Sequence, residues 1–140
     1  MSAAESAIPE GFKRYRFDDG FEGHIGPLFY RLEGENKAVF GLRTDRRHAN
    51  VRGVIHGGLM MSLADHVLGA AVFFGAGRKP CATISLNCDF LAPGAVGDWI
   101  EGRAEITRAT RSYVFVGGKL TIGDRLLMTA SGIWKILKAK

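Results

Sequence analysis

The chain has 140 residues, of which 46% are apolar and 24% charged, a balance that fits one domain with one core and excludes a disordered chain. The net charge of +5 with neutral histidines indicates either simple solubility or an anionic partner. The basic residues are scattered over expected loops without a helix-turn-helix, zinc-finger or RNP-type pattern, so we expect no nucleic-acid partner.

The N-terminal segment, residues 1–17, lacks the charged-then-apolar layout of a signal peptide, which favours a cytoplasmic protein. We expect residues 1–20 to be loosely ordered and residues 21–140 to form a single domain. Residues 27–32 and 37–43 are predicted strands, because apolar and β-branched residues flank a turn made of Gly34, Glu35 and Asn36.

A predicted helix over residues 57–74 is the most distinctive segment of the chain. Its apolar residues leave no polar stripe, which is typical of a helix enclosed on every side, and only Ser62, Asp65 and His66 interrupt them. It is too short and too closely flanked by charge to span a membrane, so no membrane partner is expected. A carboxylate in such a helix is costly to bury without a partner, so Asp65 needs a reason to be there.

Four more strands are predicted downstream, over residues 82–90, 99–107, 113–122 and 126–137, and Gly123-Asp124 joins the last two as a hairpin. Alternation in the first of them places Thr83 on one face with Ser85, Asn87 and Asp89. The odd spacing of Cys81 and Cys88 puts these two side chains on opposite faces, unpaired. The element order predicts an α+β domain, an antiparallel sheet of about six strands wrapped around one long central helix.

Gly57 and Gly58 open the predicted helix with bare backbone N–H groups, which attract a negatively charged or polarised oxygen. Combined with Asp65, they suggest acyl-transfer chemistry without a Ser or Cys nucleophile. Asp65 lies ~12 Å along the helix axis from Gly57, so one ester or thioester carbon cannot contact both within one chain. If the two act together, Asp65 comes from a neighbouring subunit whose helix runs antiparallel about a two-fold axis. The spacing therefore predicts an obligate dimer, unless Asp65 is only a structural anchor.

These features resemble the hotdog-fold acyl-CoA thioesterases, and most closely their phenylacetic-acid-degradation (phenylacetyl-CoA thioesterase-like) branch. The resemblance covers about residues 26–134 and rests on the element order and on spaced residues: Asn50, His56-Gly57-Gly58, Asp65, Thr83, Phe90-Leu91 and Pro93. It implies a hotdog fold and hydrolysis of acyl-CoA to free acid and coenzyme A. It also implies a homotetramer built as a dimer of dimers, and the chemistry requires no metal or other cofactor.

The resemblance implies a role for each of five residues. The Gly57 N–H polarises the thioester carbonyl, as a donor that stabilises developing negative charge does. Asp65 of the facing subunit acts as general base toward water, or as nucleophile through an anhydride. His56 and Asn50 orient the thioester and the glycine loop, and Thr83 helps to place the water or the carboxylate.

Simpler interpretations stay open for each of these residues. Asp65 could bond a backbone or histidine neighbour, His56 could cap the helix, Asn50 could serve a turn, and Thr83 is a good strand residue. The histidines show no metal-ligand spacing, and we interpret His66 and Ser62 as structural. Further substrate-binding candidates, which could instead form solvated surfaces, are Gly58, Arg78, Lys79, Arg108 and Arg111.

Two other functions compete with thioester hydrolysis on this fold. A non-catalytic acyl-CoA-binding module needs no buried carboxylate, and a hydratase or dehydratase places an Asp and a His close together around the substrate. The sequence leaves open whether the acyl group is aromatic or a medium or long fatty chain. It also leaves open whether the carrier is coenzyme A or acyl carrier protein.

Overall fold

The computed structural model describes residues 8–16 and 19–138, so part of the expected loose N-terminal segment, residues 1–7 and 17–18, lies outside the described residues. The elements follow the chain in this order: β1 Lys13–Arg14, α1 Phe21–Ile25, β2 Phe29–Leu32, β3 Ala38–Arg43, a 3-10 turn Arg46–His48, α2 Gly57–Gly75, β4 Cys81–Phe90, β5 Trp99–Ala109, β6 Tyr113–Ile122 and β7 Arg125–Ile136.

The strands form one antiparallel sheet of seven strands in the order β1-β2-β3-β5-β6-β7-β4, and α2 packs across its inner face. This confirms the α+β architecture with one long helix. The sheet has one strand more than the six expected, because Lys13 and Arg14 pair with Tyr30 and Phe29 at the edge of β2. At the other edge, β4 pairs with β7 alone, so its outer backbone groups have no strand beside them in the described chain.

Local signals at both ends of α2 explain its bounds. His56 has extended backbone angles and caps the first turn with its side chain. At the other end Ala76 closes the last turn, and Gly77 adopts a φ of 72°, a left-handed conformation that suits glycine. The helix therefore begins and ends one residue or less from its predicted positions.

Only one face of α2 is buried, so the expectation of a helix enclosed on every side is wrong for the single chain. Its buried residues pack against the sheet: Leu59, Met60, Leu63, Ala64, Val67, Leu68 and Val72. On the opposite face Met61 is 38% exposed. By length and composition alone the 19-residue helix α2 could cross a membrane, so the expectation that this helix is too short to do so is wrong. Its packing against the sheet is that of a core helix.

A β-bulge in β4 changes which side chains face the helix. Thr83 pairs with Trp134, and Ser85 pairs with the adjacent residue Ile133, so Ile84 is the extra residue and is 56% exposed. The predicted shared face of Thr83 with Ser85, Asn87 and Asp89 is therefore wrong, because the bulge turns Thr83 to the helix side. Likewise, the bulge puts Cys81 and Cys88 on the same face rather than opposite faces, although both thiols are free.

Candidate active site

Asp65 and Thr83 meet at the open face of α2. The Thr83 hydroxyl donates a hydrogen bond of 2.7 Å to Asp65 Oδ1, across 18 residues of sequence. This bond depends on the bulge in β4, since regular alternation would point Thr83 away from the helix. Two residues that the sequence singled out separately are thus brought together, with the carboxylate oriented by the hydroxyl.

The first turn of α2 leaves one backbone donor unused. The N–H of Gly58 donates to His56 Nδ1 at 2.8 Å, and the N–H groups of Leu59 and Met60 both reach the His56 carbonyl oxygen. The N–H of Gly57 has no hydrogen-bond acceptor among the residues that the structure describes. Of the two glycines, Gly57 is therefore the one whose N–H can bind a substrate oxygen, while Gly58 serves the cap.

Glycine at position 57 also leaves space between the start of α2 and the ring of Phe90. A Cβ atom there would come within 3.2 Å of Phe90 Cε1, on the last residue of β4. Because His56 Nδ1 accepts a hydrogen bond, the ring proton lies on Nε2. His56 thus has a structural role as the N-cap, and the geometry leaves Nε2–H available as a donor.

Asn50 braces the loop that leads into α2. Its Oδ1 accepts hydrogen bonds from the backbone N–H groups of Arg52 at 2.9 Å and Val54 at 3.2 Å. Its own N–H donates to the Val54 carbonyl oxygen at 2.7 Å. This closed turn accounts for the side-chain oxygen of Asn50, as in the simpler interpretation of this residue, and its role toward the thioester and the glycine loop stays a prediction.

His48 ties three segments to the same loop, a role that the sequence pattern did not predict. The residue is 3% exposed; Nδ1 accepts from the Asp45 N–H at 2.9 Å and Nε2 donates to the Ile25 carbonyl oxygen at 2.7 Å. Its carbonyl oxygen accepts the N–H of His56 at 2.8 Å. His48 therefore joins α1, the 3-10 turn and the residue just before Gly57. Only its position eight residues before His56 could have drawn attention to it.

Two cavities meet beside Asp65. The larger, about 570 Å³, runs along the C-terminal half of α2 and is bordered by Gly69, Phe73, Phe74, Arg78, Thr83 and Trp134 among others. The smaller, about 290 Å³, lies toward the helix N-terminus between α1 and α2, with Phe21, Ile25, Met61 and Leu86 in its wall. Both are lined by Glu22, Asp65 and His66. A substrate whose reacting carbon lies at Asp65 can therefore extend in two directions.

His66 is buried beside Asp65 rather than being a simple core residue. Its side chain is 10% exposed, and its Nδ1 lies 3.7 Å from Glu22 Oε1. Burial lowers the pKa of His66, and the carboxylates of Glu22 and Asp65 offset only part of that effect. The ring is therefore neutral at pH 7.

Neither cysteine near the site is suited to act as a nucleophile. Burial, with a smaller contribution from the Asp65 charge, raises the pKa of the Cys81 thiol, and burial likewise raises that of Cys88. A raised pKa leaves less thiolate, which is the reactive form. In the described part of the chain, no three His, Cys, Asp or Glu side chains cluster closely enough to hold a metal ion.

The four candidate cations lie at the C-terminal end of α2. Arg78 lies over the Phe74 ring, 5.4 Å from its centroid, at the end of the larger cavity. The segment around Pro80, next to Lys79, and the turn at Ser112, between β5 and β6, both accept hydrogen bonds from the end of β7. Arg78 and Lys79 therefore share one end of the sheet with Arg108 and Arg111, and all four are exposed.

Comparisons with known proteins identify a family for this chain. Residues 52–129 match the family model described as the thioesterase superfamily. A Pseudomonas aeruginosa protein provisionally named an esterase is 34% identical over 130 residues, which cover 92% of this chain and 97% of that protein. Human acyl-coenzyme A thioesterase 13 is 22% identical over 121 residues, 86% of each chain.

Solved structures share the same fold. A mutant form of the phenylacetic acid degradation protein PaaI of Thermus thermophilus superposes with a TM-score of 0.76 at 24% identity and covers 85% of this chain and all of its own. A hypothetical thioesterase of Streptococcus pneumoniae, solved with coenzyme A, has a TM-score of 0.73 at 17% identity, over 81% of this chain and 88% of that one. The family match and the relatives make this chain a hotdog-fold thioester hydrolase of the thioesterase superfamily.

Proposed function

We propose that the chain hydrolyses acyl-CoA thioesters, with Asp65 as the group that activates water and the Gly57 N–H as the donor to the thioester carbonyl oxygen. The observation that carries this proposal is the Asp65–Thr83 hydrogen bond at the junction of two cavities, together with the unused N–H at the start of α2. Aromatic and medium or long fatty acyl groups are all candidate substrates.

In the proposed reaction, water attacks the thioester carbon while one Asp65 oxygen takes its proton. Thr83 holds the other oxygen, so the free oxygen keeps a defined direction. The carbonyl oxygen becomes an oxyanion and is stabilised by the Gly57 N–H. Collapse of this intermediate breaks the C–S bond, and the coenzyme A thiolate takes up the proton that Asp65 had accepted, which releases the free acid and restores the carboxylate. Direct attack by Asp65 to form an anhydride is the alternative, and the same two residues carry it.

We propose that the site forms between two copies of the chain. Gly57 and Asp65 are ~12 Å apart along one helix, beyond the reach of a single carbonyl group. Antiparallel pairing of two α2 helices about Met61, midway between these residues, brings Gly57 of each chain to Asp65 of the other. The half-exposed outer face of α2 and the unpaired edge of β4, which carries exposed Ile84 and Phe90, supply apolar surface for this contact. A tetramer made of two such dimers is part of the proposal.

This pairing also suggests how the substrate lies. Met61 sits near the two-fold axis, so the smaller cavity beside it becomes the more enclosed one and suits the acyl group. The larger cavity leads outward to Arg78 and its neighbouring cations, where the phosphates of coenzyme A would be bound. The carrier is therefore proposed to be coenzyme A rather than acyl carrier protein.

The activity is tested by thiol release from a panel of acyl-CoAs, from short and long aliphatic to phenylacetyl. We compare wild type with D65A and with D89A, a control that removes an exposed carboxylate from the outer face of β4. We expect turnover to be nearly abolished in D65A and retained in D89A. Full activity of folded D65A would refute the catalytic role of Asp65, and no release from any substrate would favour a binding module.

Mixing two inactive variants tests the shared site. In a heterodimer of D65A with G57P, one site combines an intact Asp65 with an intact Gly57. Unfolding and refolding an equimolar mixture should restore about a quarter of the wild-type rate, since half the dimers are mixed and half of their sites are intact. No restoration in a mixture of folded variants would mean that both residues act within one chain.

A further inference from the structure

Glu22 and His66 form a second polar pair at the junction of the two cavities. With Asp65 they are the three residues that line both cavities. Glu22 comes from α1 and His66 from α2, 44 residues later, so the pair exists only in the folded chain. The Asp65–Thr83 pair performs the proposed chemistry, and nothing in that chemistry uses Glu22 or His66.

One ring nitrogen of His66 has no partner among the described residues, and the other has only a distant one, Glu22. Its side chain is nine-tenths buried, and its Nδ1 is 3.7 Å from Glu22 Oε1, longer than a hydrogen bond. Its Nε2 is buried without a partner in the described part of the chain. The ring packs edge-on against Tyr15 and Phe40, with centroids 5.0 Å and 4.7 Å away, so its orientation is held by packing.

The tautomer follows from this environment. A proton on Nε2 would bury an N–H without an acceptor, which costs more than a bare ring nitrogen. The proton therefore belongs on Nδ1, facing Glu22. The Nδ1–H donor and the carboxylate then lie side by side, 3.7 Å apart, so that one oxygen about 2.8 Å from each can contact both.

A hydroxyl group that lies beside both side chains suits this pair better than any other common acyl substituent. It can donate to the Glu22 carboxylate and accept from the His66 N–H at the same time. A carboxylate on the substrate would be repelled by Glu22, and a saturated carbon chain would leave both groups without a partner. His66 follows Asp65 directly on the helix, ~1.5 Å along and ~100° around the axis. The hydroxyl must therefore lie close to the thioester carbonyl.

We propose that Glu22 and His66 form a specificity subsite for acyl groups that carry a hydroxyl on the second or third carbon from the thioester carbonyl carbon. This inference rests on the proposed thioesterase function. Glu22 and His66 act on substrate choice, and Asp65 and Gly57 act on the reaction, so the two proposals can fail separately.

The test is a comparison of kcat/KM for matched substrates that differ by one hydroxyl. Hexanoyl-CoA is compared with its 2-hydroxy and 3-hydroxy derivatives. 3-Phenylpropanoyl-CoA is compared with its 2-hydroxy and 3-hydroxy derivatives in the same way. The variants are E22M, which keeps chain length on a partly exposed residue, and H66F, which keeps the aromatic packing. E35M is the control, since it removes the same charge from the turn between β2 and β3.

For wild type and E35M, we expect kcat/KM for the preferred hydroxylated derivative to exceed that for the unsubstituted substrate by about tenfold or more. This ratio is typical of one hydrogen bond to a charged group. In E22M and H66F this ratio should fall close to one, because the hydroxylated member of each pair loses more activity than the unsubstituted member. A ratio near one in wild type would overturn the subsite. An equal loss for both members of each pair would also overturn it, because it would place Glu22 and His66 on the pantetheine amides. Failure of every substrate in wild type would overturn the thioesterase function instead.

Discussion

Replacing Gly57 with proline tests the oxyanion role of its N–H with little effect on the fold. Proline removes the N–H, and this N–H has no acceptor in the described structure, so no hydrogen bond of the fold is lost. Proline is favoured in the first turn of a helix, and His56 before it already has φ −64° and ψ 135°, the conformation that a residue before proline requires. The substitution is therefore compatible with the backbone.

The matched control is G57A, which keeps the N–H and introduces the same Cβ. That Cβ lies 3.2 Å from Phe90 Cε1, so both variants require a small shift of the same exposed ring. The difference in kcat between the two variants therefore measures the effect of the Gly57 N–H alone. Loss of one oxyanion donor costs about 10²- to 10³-fold in kcat, or roughly 2.7–4 kcal/mol. We therefore expect G57P to have about one hundredth of the kcat of G57A or less.

The assay is thiol release at saturating acyl-CoA, with thermal unfolding of both variants measured in parallel. We expect the Tm values of G57P and G57A to agree within a few degrees. If folded G57P kept a kcat within threefold of G57A, the oxyanion donor would lie elsewhere. The unbonded N–H of Gly57 would then be a feature of helix geometry alone.

Three further predictions follow from particular contacts. T83V removes the 2.7 Å hydrogen bond to Asp65 while keeping the side-chain shape, so we expect kcat to fall about tenfold or more with little change in the urea midpoint. H48F leaves the Ile25 carbonyl and the Asp45 N–H without their partner, and urea unfolding should show a loss of about 2–4 kcal/mol; an unchanged midpoint would contradict this network. The pKa of His66 is lowered by burial, so the unfolded chain takes up its proton first as pH falls below 6.5. Stability should then decrease by up to about 1.4 kcal/mol per pH unit until the folded pKa is reached, and H66F should lack this component.

The sequence by itself predicted the long helix, six of the seven strands and the thioester-hydrolase class, while the roles of the individual site residues stay predictions. Helix α2 and its histidine cap follow from local signals, because capping and periodicity depend on residues only a few positions apart. The spacing of Gly57 and Asp65 follows from helix geometry alone, and with it the expectation of a second chain. The sequence also identified Asp65 and Thr83 as candidate site residues. It did not show that these two side chains contact each other.

Only the tertiary structure decided how these residues meet. The bulge at Ile84 reverses the side of Thr83, and a pattern of alternation cannot reveal an inserted residue. The packing of His48 against the Ile25 carbonyl depends on neighbours 23 residues apart in sequence, and the approach of Glu22 to His66 on neighbours 44 apart. Such contacts arise when the sheet folds over the helix, because burial and partner choice are set by the whole chain rather than by any local run of residues.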